Sequence, residues 1–153
     1  MVRVVASGVF DLIHLGHVHF LEKAKDLGDE LVVIVARDAT AKKMKHQPIT
    51  PEGMRVELVQ ALKPVDRAVL GYEDDMFKII TEVRPDIIAL GYDQAFDEEE
   101  LRKELKKRGL QVKIVRLPHL DTDLDGTRKL IRRIVEWNAG QQKIREAEGA
   151  KKR

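Results

Sequence analysis

The stretch Val4-Val5-Ala6-Ser7-Gly8-Val9-Phe10-Asp11-Leu12-Ile13-His14-Leu15-Gly16-His17-Val18-His19-Phe20-Leu21 runs from a continuous apolar segment through a glycine-containing loop into a helical pattern. Residues 2–6 are valine-rich and do not alternate with polar ones, as expected of a strand covered on both faces. From His17 onward, Phe20, Leu21, Ala24 and Leu27 recur at helical spacing until Gly28 stops the pattern.

The rest of the chain repeats this alternation. Apolar runs at 31–36, 68–70, 86–90 and 112–115 read as further strands. Helical patterns over 51–62, 74–83 and 97–108 separate them, and a last helix is expected at roughly 126–137. Pro51 opens the second helix, Arg84-Pro85 closes the third and Gly109 closes the fourth. Five strands, four intervening helical segments and a final helix predict an α/β fold. It is a single doubly wound, Rossmann-like domain with a five-stranded parallel sheet. The domain is expected to span 1–138, and the charged tail 139–153 to be a frayed helix extension or disordered.

Composition agrees with one such domain. The chain has 153 residues, 43% hydrophobic and 35% charged, which excludes a disordered chain and a membrane protein. The longest uncharged apolar run, 31–36, is far short of a membrane span. No signal-peptide layout precedes the first strand, and the absence of cysteine excludes disulfides, thiolate metal sites and cysteine nucleophiles. A cytoplasmic protein is expected. Net charge is +2, but the tail 139–153 alone carries +3, so the body is nearly neutral. With aromatic residues at 5%, neither a nucleic-acid nor a membrane partner is expected.

Ligands of such sheets bind beyond the carboxyl ends of the strands. Those ends are the loops 7–17, 37–50, 71–75, 91–96 and 117–128, which hold four of the five histidines. In the first loop, Gly8 permits a tight turn and close approach of a phosphate. His14 and His17, three apart at a helix start, project to one side, and Gly16 leaves the space between them open. A helix N-terminus adds unpaired N–H groups and partial positive charge. Two histidines there can donate to a phosphate whose charge grows in a transition state. A zinc site built on His14, His17 and His19 is the competing reading, and it lacks the usual further Cys, His or carboxylate. His19 faces elsewhere and reads as a surface or packing residue.

The run Gly8-Val9-Phe10-Asp11-Leu12-Ile13-His14-Leu15-Gly16-His17 resembles the HxGH signature of the nucleotidylyltransferase superfamily. Its ten-residue form is similar to the cytidylyltransferase branch, which includes glycerol-3-phosphate and choline-phosphate cytidylyltransferases and the archaeal-type FAD synthases. Leu90-Gly91-Tyr92-Asp93-Gln94 together with Val35-Ala36-Arg37-Asp38 is most similar to the FAD synthases. The resemblance covers about residues 2–137.

It implies transfer of AMP from ATP to FMN with release of diphosphate. The alternative it leaves is a CTP-dependent enzyme acting on a phosphorylated alcohol such as glycerol 3-phosphate. His14 and His17 would act on the phosphates, with Lys43, Lys45 and Arg55 neutralising them. A divalent metal cation such as Mg2+ would be held mainly by substrate phosphates, with no metal-ligating residue assigned. The nucleotide would lie against Val9, Phe10, Leu15 and Gly16, with Asp93, His119 and Thr127 contributing from the later loops. Relatives of this kind are often dimers, so a homodimer is expected too.

Simpler readings stand beside these. The cluster Lys42-Lys43-Met44-Lys45 could be a solvated basic loop, Asp93 a turn residue and Asp125 a helix cap. The last loop departs from the family's Ser/Thr run, having Asp125-Gly126-Thr127-Arg128. That departure keeps a second class open, a nucleotide-binding regulator without catalysis.

Overall fold

The computed structural model describes residues 1–44, 47–119 and 126–151. In chain order its elements are β1 (Arg3–Gly8), α1 (Leu15–Lys25), β2 (Glu30–Val35), α2 (Asp38–Lys43), α3 (Glu52–Gln60), β3 (Arg67–Leu70), α4 (Met76–Val83), β4 (Ile87–Leu90), α5 (Glu98–Lys107), β5 (Lys113–Arg116) and α6 (Thr127–Lys151). The five strands form one sheet in the order β3-β2-β1-β4-β5, every neighbouring pair parallel. Val5 of β1 lies opposite Val32 of β2 and Ile88 of β4, so β1 is central.

Both sheet faces are covered, which explains why the strands read as continuous apolar runs. Val4 and Ala6 of β1, with Leu31, Val33 and Val35 of β2, pack with Leu21 and Ala24 of α1 and Val59 of α3. The intervening Val5, Val32 and Ile34 pack with Ile79, Ile80 and Val83 of α4 and Leu101 and Leu105 of α5. Each fully buried Val, Leu or Ile contributes roughly 1.5–3 kcal/mol relative to its exposed state. Gly28 lets the end of α1 press onto β1. A Cβ there would lie 2.8 Å from the Val2 carbonyl oxygen and from Val4 Cγ2.

Strand order reverses between β1 and β4, and that switch point opens a crevice at the carboxyl end of the sheet. The loop after β1 and the loop after β4 flank it.

Three boundaries differ from the sequence expectation. Helix α1 begins at Leu15, two residues before His17, because His14 caps it. A short helix, α2, follows β2 in what reads as loop. Its Ala-Thr-Ala-Lys-Lys run carries no apolar period to signal it. Finally, α6 continues through the tail as a single helix of 25 residues, which Ala, Gln, Glu, Lys and Arg favour. No helix of the described residues is long and apolar enough to cross a membrane.

Candidate active site

His14 sits at the N-cap of α1 in extended backbone. Its Nδ1 accepts the Gly16 N–H at 3.1 Å, while Nδ1 of His17 accepts the His14 N–H at 3.3 Å. Two histidines thereby form the reciprocal capping arrangement usually made by Ser and Glu. A ring nitrogen that accepts a backbone N–H carries no proton, so the hydrogen bonds assign each ring its proton at Nε2. The rings stack with centroids 3.8 Å apart and planes 25° from parallel. The cap thus fixes the tautomers and presents two Nε2–H donors at the start of a helix.

The His17 ring stays neutral well below the ordinary range. Its pKa falls from 6.5 to about 4: burial is the largest cause, the neighbouring His14 acts in the same direction, and the Asp11 carboxylate opposes both. Phe10 supports this ring from the side, with centroids 5.4 Å apart. Phe10 and Leu12 both adopt left-handed backbone, with φ of 56° and 48°, a conformation costly for side chains of this size. Gly8 makes the Phe10 position feasible, since a Cβ there would come within 3.0 Å of Phe10 Cε2. The phenyl ring is itself buried in the core with Leu21 and Val35, so Phe10 offers a substrate backbone at most.

Arg55 does not take the place expected of it. Its side chain is 0% exposed and spends its donors inside the protein. Nε donates to the Thr50 carbonyl at 2.9 Å. Nη1 donates to the carbonyls of Val9 and Ala36, both at 2.7 Å, and Nη2 to Asp38 Oδ1 at 2.7 Å. The planar five-donor guanidinium suits such a junction. Arg55 ties the loops after β1 and β2 to the start of α3, and its charge is met by Asp38 rather than presented to a phosphate. The hydrogen bond from Arg55 in turn holds the Asp38 carboxyl below its usual range.

The remaining expected residues divide. Lys43 ends α2, exposed at the carboxyl edge of the sheet, and Lys45 lies outside the described residues. Leu15 and Asp93 are exposed at the same edge, and Gly16 supplies the N–H that His14 accepts. His119 packs against Tyr92 from the neighbouring loop, ring centroids 4.1 Å apart and planes tilted by 43°. Thr127 Oγ1 donates to the Asp11 carbonyl at 2.8 Å, so its hydroxyl proton is committed within the protein. Asp125 lies outside the described residues. His19 is partly buried on another face of α1 and does not join the His14–His17 pair. Among the described residues no three His, Asp or Glu side chains converge to hold a metal ion.

Two residues that organise the crevice had no role assigned from the sequence, Gln94 entering only as part of a motif and Arg116 not at all. Gln94 spans it, its Oε1 accepting the Gly91 N–H at 2.8 Å and its Nε2 donating to the Ser7 carbonyl at 2.9 Å. Arg116 holds the same loop, donating to the carbonyls of Gly91, Gln94 and Phe96. An Arg at the end of the last strand, facing a Gly-containing loop, is the signal that could have found it.

Comparison with known proteins places the chain. The family model described as cytidylyltransferase-like matches residues 5–140. An FAD synthase of Aciduliprofundum boonei is 61% identical over 137 residues, covering 89% of this chain and 92% of the relative. An FAD synthase of Thermoplasma acidophilum is 55% identical over 136 residues, covering 89% and 96%. Among solved structures, a Thermoplasma volcanium protein described as a lipopolysaccharide core biosynthesis protein superposes with a TM-score of 0.78 at 57% identity, covering 79% of this chain and 99% of that one.

Proposed function

The chain belongs to the cytidylyltransferase-like family, and we propose that within it the protein is a cytoplasmic FAD synthase, joining ATP and FMN to give FAD and diphosphate. The observation that carries the substrate assignment is its near-full-length identity to relatives named FAD synthase.

The chemistry needs no covalent intermediate on the enzyme. A phosphate oxygen of FMN attacks the α-phosphorus of ATP. A new P–O bond forms as the bond to the β-phosphate oxygen breaks in line, and the departing electron pair leaves with diphosphate. Negative charge grows on the leaving and transferring phosphates. His14 and His17, neutral and proton-bearing at Nε2, donate to those oxygens from the start of α1. Neutral donors suit a site that must also release an anionic product. The helix N-terminus reinforces them. Lys43 and Lys45 supply positive charge from the segment after β2, while Arg55 acts at one remove by holding that segment.

The nucleotide lies in the crevice between β1 and β4, against Val9, Leu15 and Gly16 on one side and Asp93 and His119 on the other. Thr127 positions the start of α6 through its bond to Asp11. A divalent cation would be held by the nucleotide's own phosphates and would screen their charge, with Lys43 and Lys45 adding to that screening from the protein. A homodimer accords with the exposed Ile134, Val135, Trp137 and Ile144 along α6.

The test is turnover across a grid of ATP or CTP against FMN or glycerol 3-phosphate, followed by diphosphate release. Activity confined to ATP with FMN is expected. Activity with CTP and glycerol 3-phosphate alone would replace this reading with the cytidylyltransferase one.

A further inference from the structure

We infer that Thr50 is a positioning residue for the transfer reaction, acting through the buried Asp11 carboxylate to fix the lysine-bearing segment against the histidine loop. The kinetic part of this inference rests on the FAD synthase reading; the latch itself does not.

Asp11 lies in the histidine loop between Phe10 and Leu12 and is only 2% exposed. A carboxylate so placed must be met by donors, since an ionised acid without them is strongly disfavoured away from water. Here the donors come from the chain 38 and 39 residues further on. Oδ2 accepts the Ile49 N–H at 2.8 Å, and Oδ1 accepts the Thr50 N–H at 3.0 Å and the Thr50 hydroxyl at 2.6 Å. Hydrogen bonds to an ionised acceptor are roughly twice as strong as neutral ones. The carbonyl of the same residue accepts Thr127 Oγ1, so Asp11 joins three regions of chain.

The other end of the segment is tied as well. Glu52, in the first turn of α3, accepts the Asp38 N–H at 3.2 Å and Arg37 Nη1 at 3.0 Å. The exposed Lys42 and Lys43 therefore lie between two anchored points, one at the start of α2 and one at Ile49–Thr50. The hydroxyl of Thr50 makes the shortest of the three bonds that the Ile49–Thr50 segment gives the Asp11 carboxylate, and it is the one of these that a substitution can remove. The two backbone amides remain to satisfy the carboxylate, so losing the hydroxyl loosens the latch without leaving a bare buried charge.

Two variants separate the possibilities. Thr50→Val keeps the shape and removes the hydroxyl, and Thr50→Ser keeps the hydroxyl. For Thr50→Val, kcat with ATP and FMN should fall roughly tenfold while KM for ATP moves by less than about threefold, since displaced charge weakens the transition state more than the ground state. Limited trypsin digestion without substrate should cut after Lys42 and Lys43 roughly five times faster, with other sites and Tm nearly unchanged. Thr50→Ser should restore both readouts. Wild-type kcat and wild-type cleavage in Thr50→Val would overturn the inference. So would faster cleavage at every lysine and arginine with a lowered Tm, which would make Thr50 a general stability residue. If selective cleavage appears while even the unaltered protein makes no FAD, the latch stands and the substrate assignment falls.

Discussion

His14 and His17 hold each other through the backbone: the side chain of His17 accepts the amide proton of His14, and the side chain of His14 accepts that of Gly16 in the turn between them. The same contacts that start α1 also fix which ring nitrogen carries a proton. One arrangement therefore both starts the helix and sets the direction of the two Nε2–H groups, which is the basis of the donor role proposed for them.

Removing one donor should cost chemistry more than binding. His17→Ala should lower kcat by roughly 10²–10³-fold with much smaller change in nucleotide affinity, because its hydrogen bond strengthens only as charge develops. His14→Ala should behave similarly, with some loss of stability from the missing cap. His19→Ala should leave kcat almost intact. Steady-state kinetics alongside thermal melts check all three, and full kcat in a folded His17→Ala protein would contradict the donor role.

The pH behaviour of His17 follows from burial. Its folded-state pKa of about 4 lies below the ordinary 6.5, so between those values the unfolded chain binds a proton that the folded chain refuses. That contribution to stability is complete above pH 6.5 and is lost as pH falls toward 4. A ring-nitrogen NMR titration should find His17 neutral at about pH 5.5. A midpoint near the ordinary histidine value would contradict its burial.

Arg55 should matter to the fold before it matters to the phosphates. Arg55→Met strips the donor from the carbonyls of Val9, Ala36 and Thr50, and each lost bond costs about 1 kcal/mol or more. A fall of about 3 kcal/mol in urea unfolding is expected, with Arg55→Lys intermediate because one ammonium cannot span the acceptors. Unchanged stability with lost activity would return Arg55 to direct contact with substrate.

Much of this molecule was legible in its sequence because the strands are buried on both faces. The run Leu31-Val32-Val33-Ile34-Val35 could be little else, and Gly28 and Pro51 mark real boundaries. The pairing of His14 with His17 was legible for a similar reason, since its geometry is local to one turn. Arg55 and Asp11 were not. The partners of Arg55 lie up to 46 residues away and those of Asp11 up to 116, so nothing in the local pattern distinguishes a buried junction from a phosphate contact. The tail was half legible. Its composition permits a helix, but only tertiary placement shows that α6 has no fully buried side chain, with Thr127, Leu130 and Ile131 half-buried at its start.

Because α6 buries so little, deleting 139–153 should leave turnover within roughly twofold and move Tm by only a degree or two. Light scattering on the same pair of proteins reads the assembly. A large drop in activity together with a change of mass would show that the tail docks across a dimer interface.

The most direct measurement follows the label of ATP carrying radioactive phosphorus at the α position, mixed with FMN and a divalent cation. The account predicts that the label moves into FAD in step with diphosphate release, that none remains covalently on the protein, and that His17→Ala slows the transfer without redirecting it. Label retained on a protein residue, or no labelled FAD while CTP and a phosphorylated alcohol do react, would contradict it.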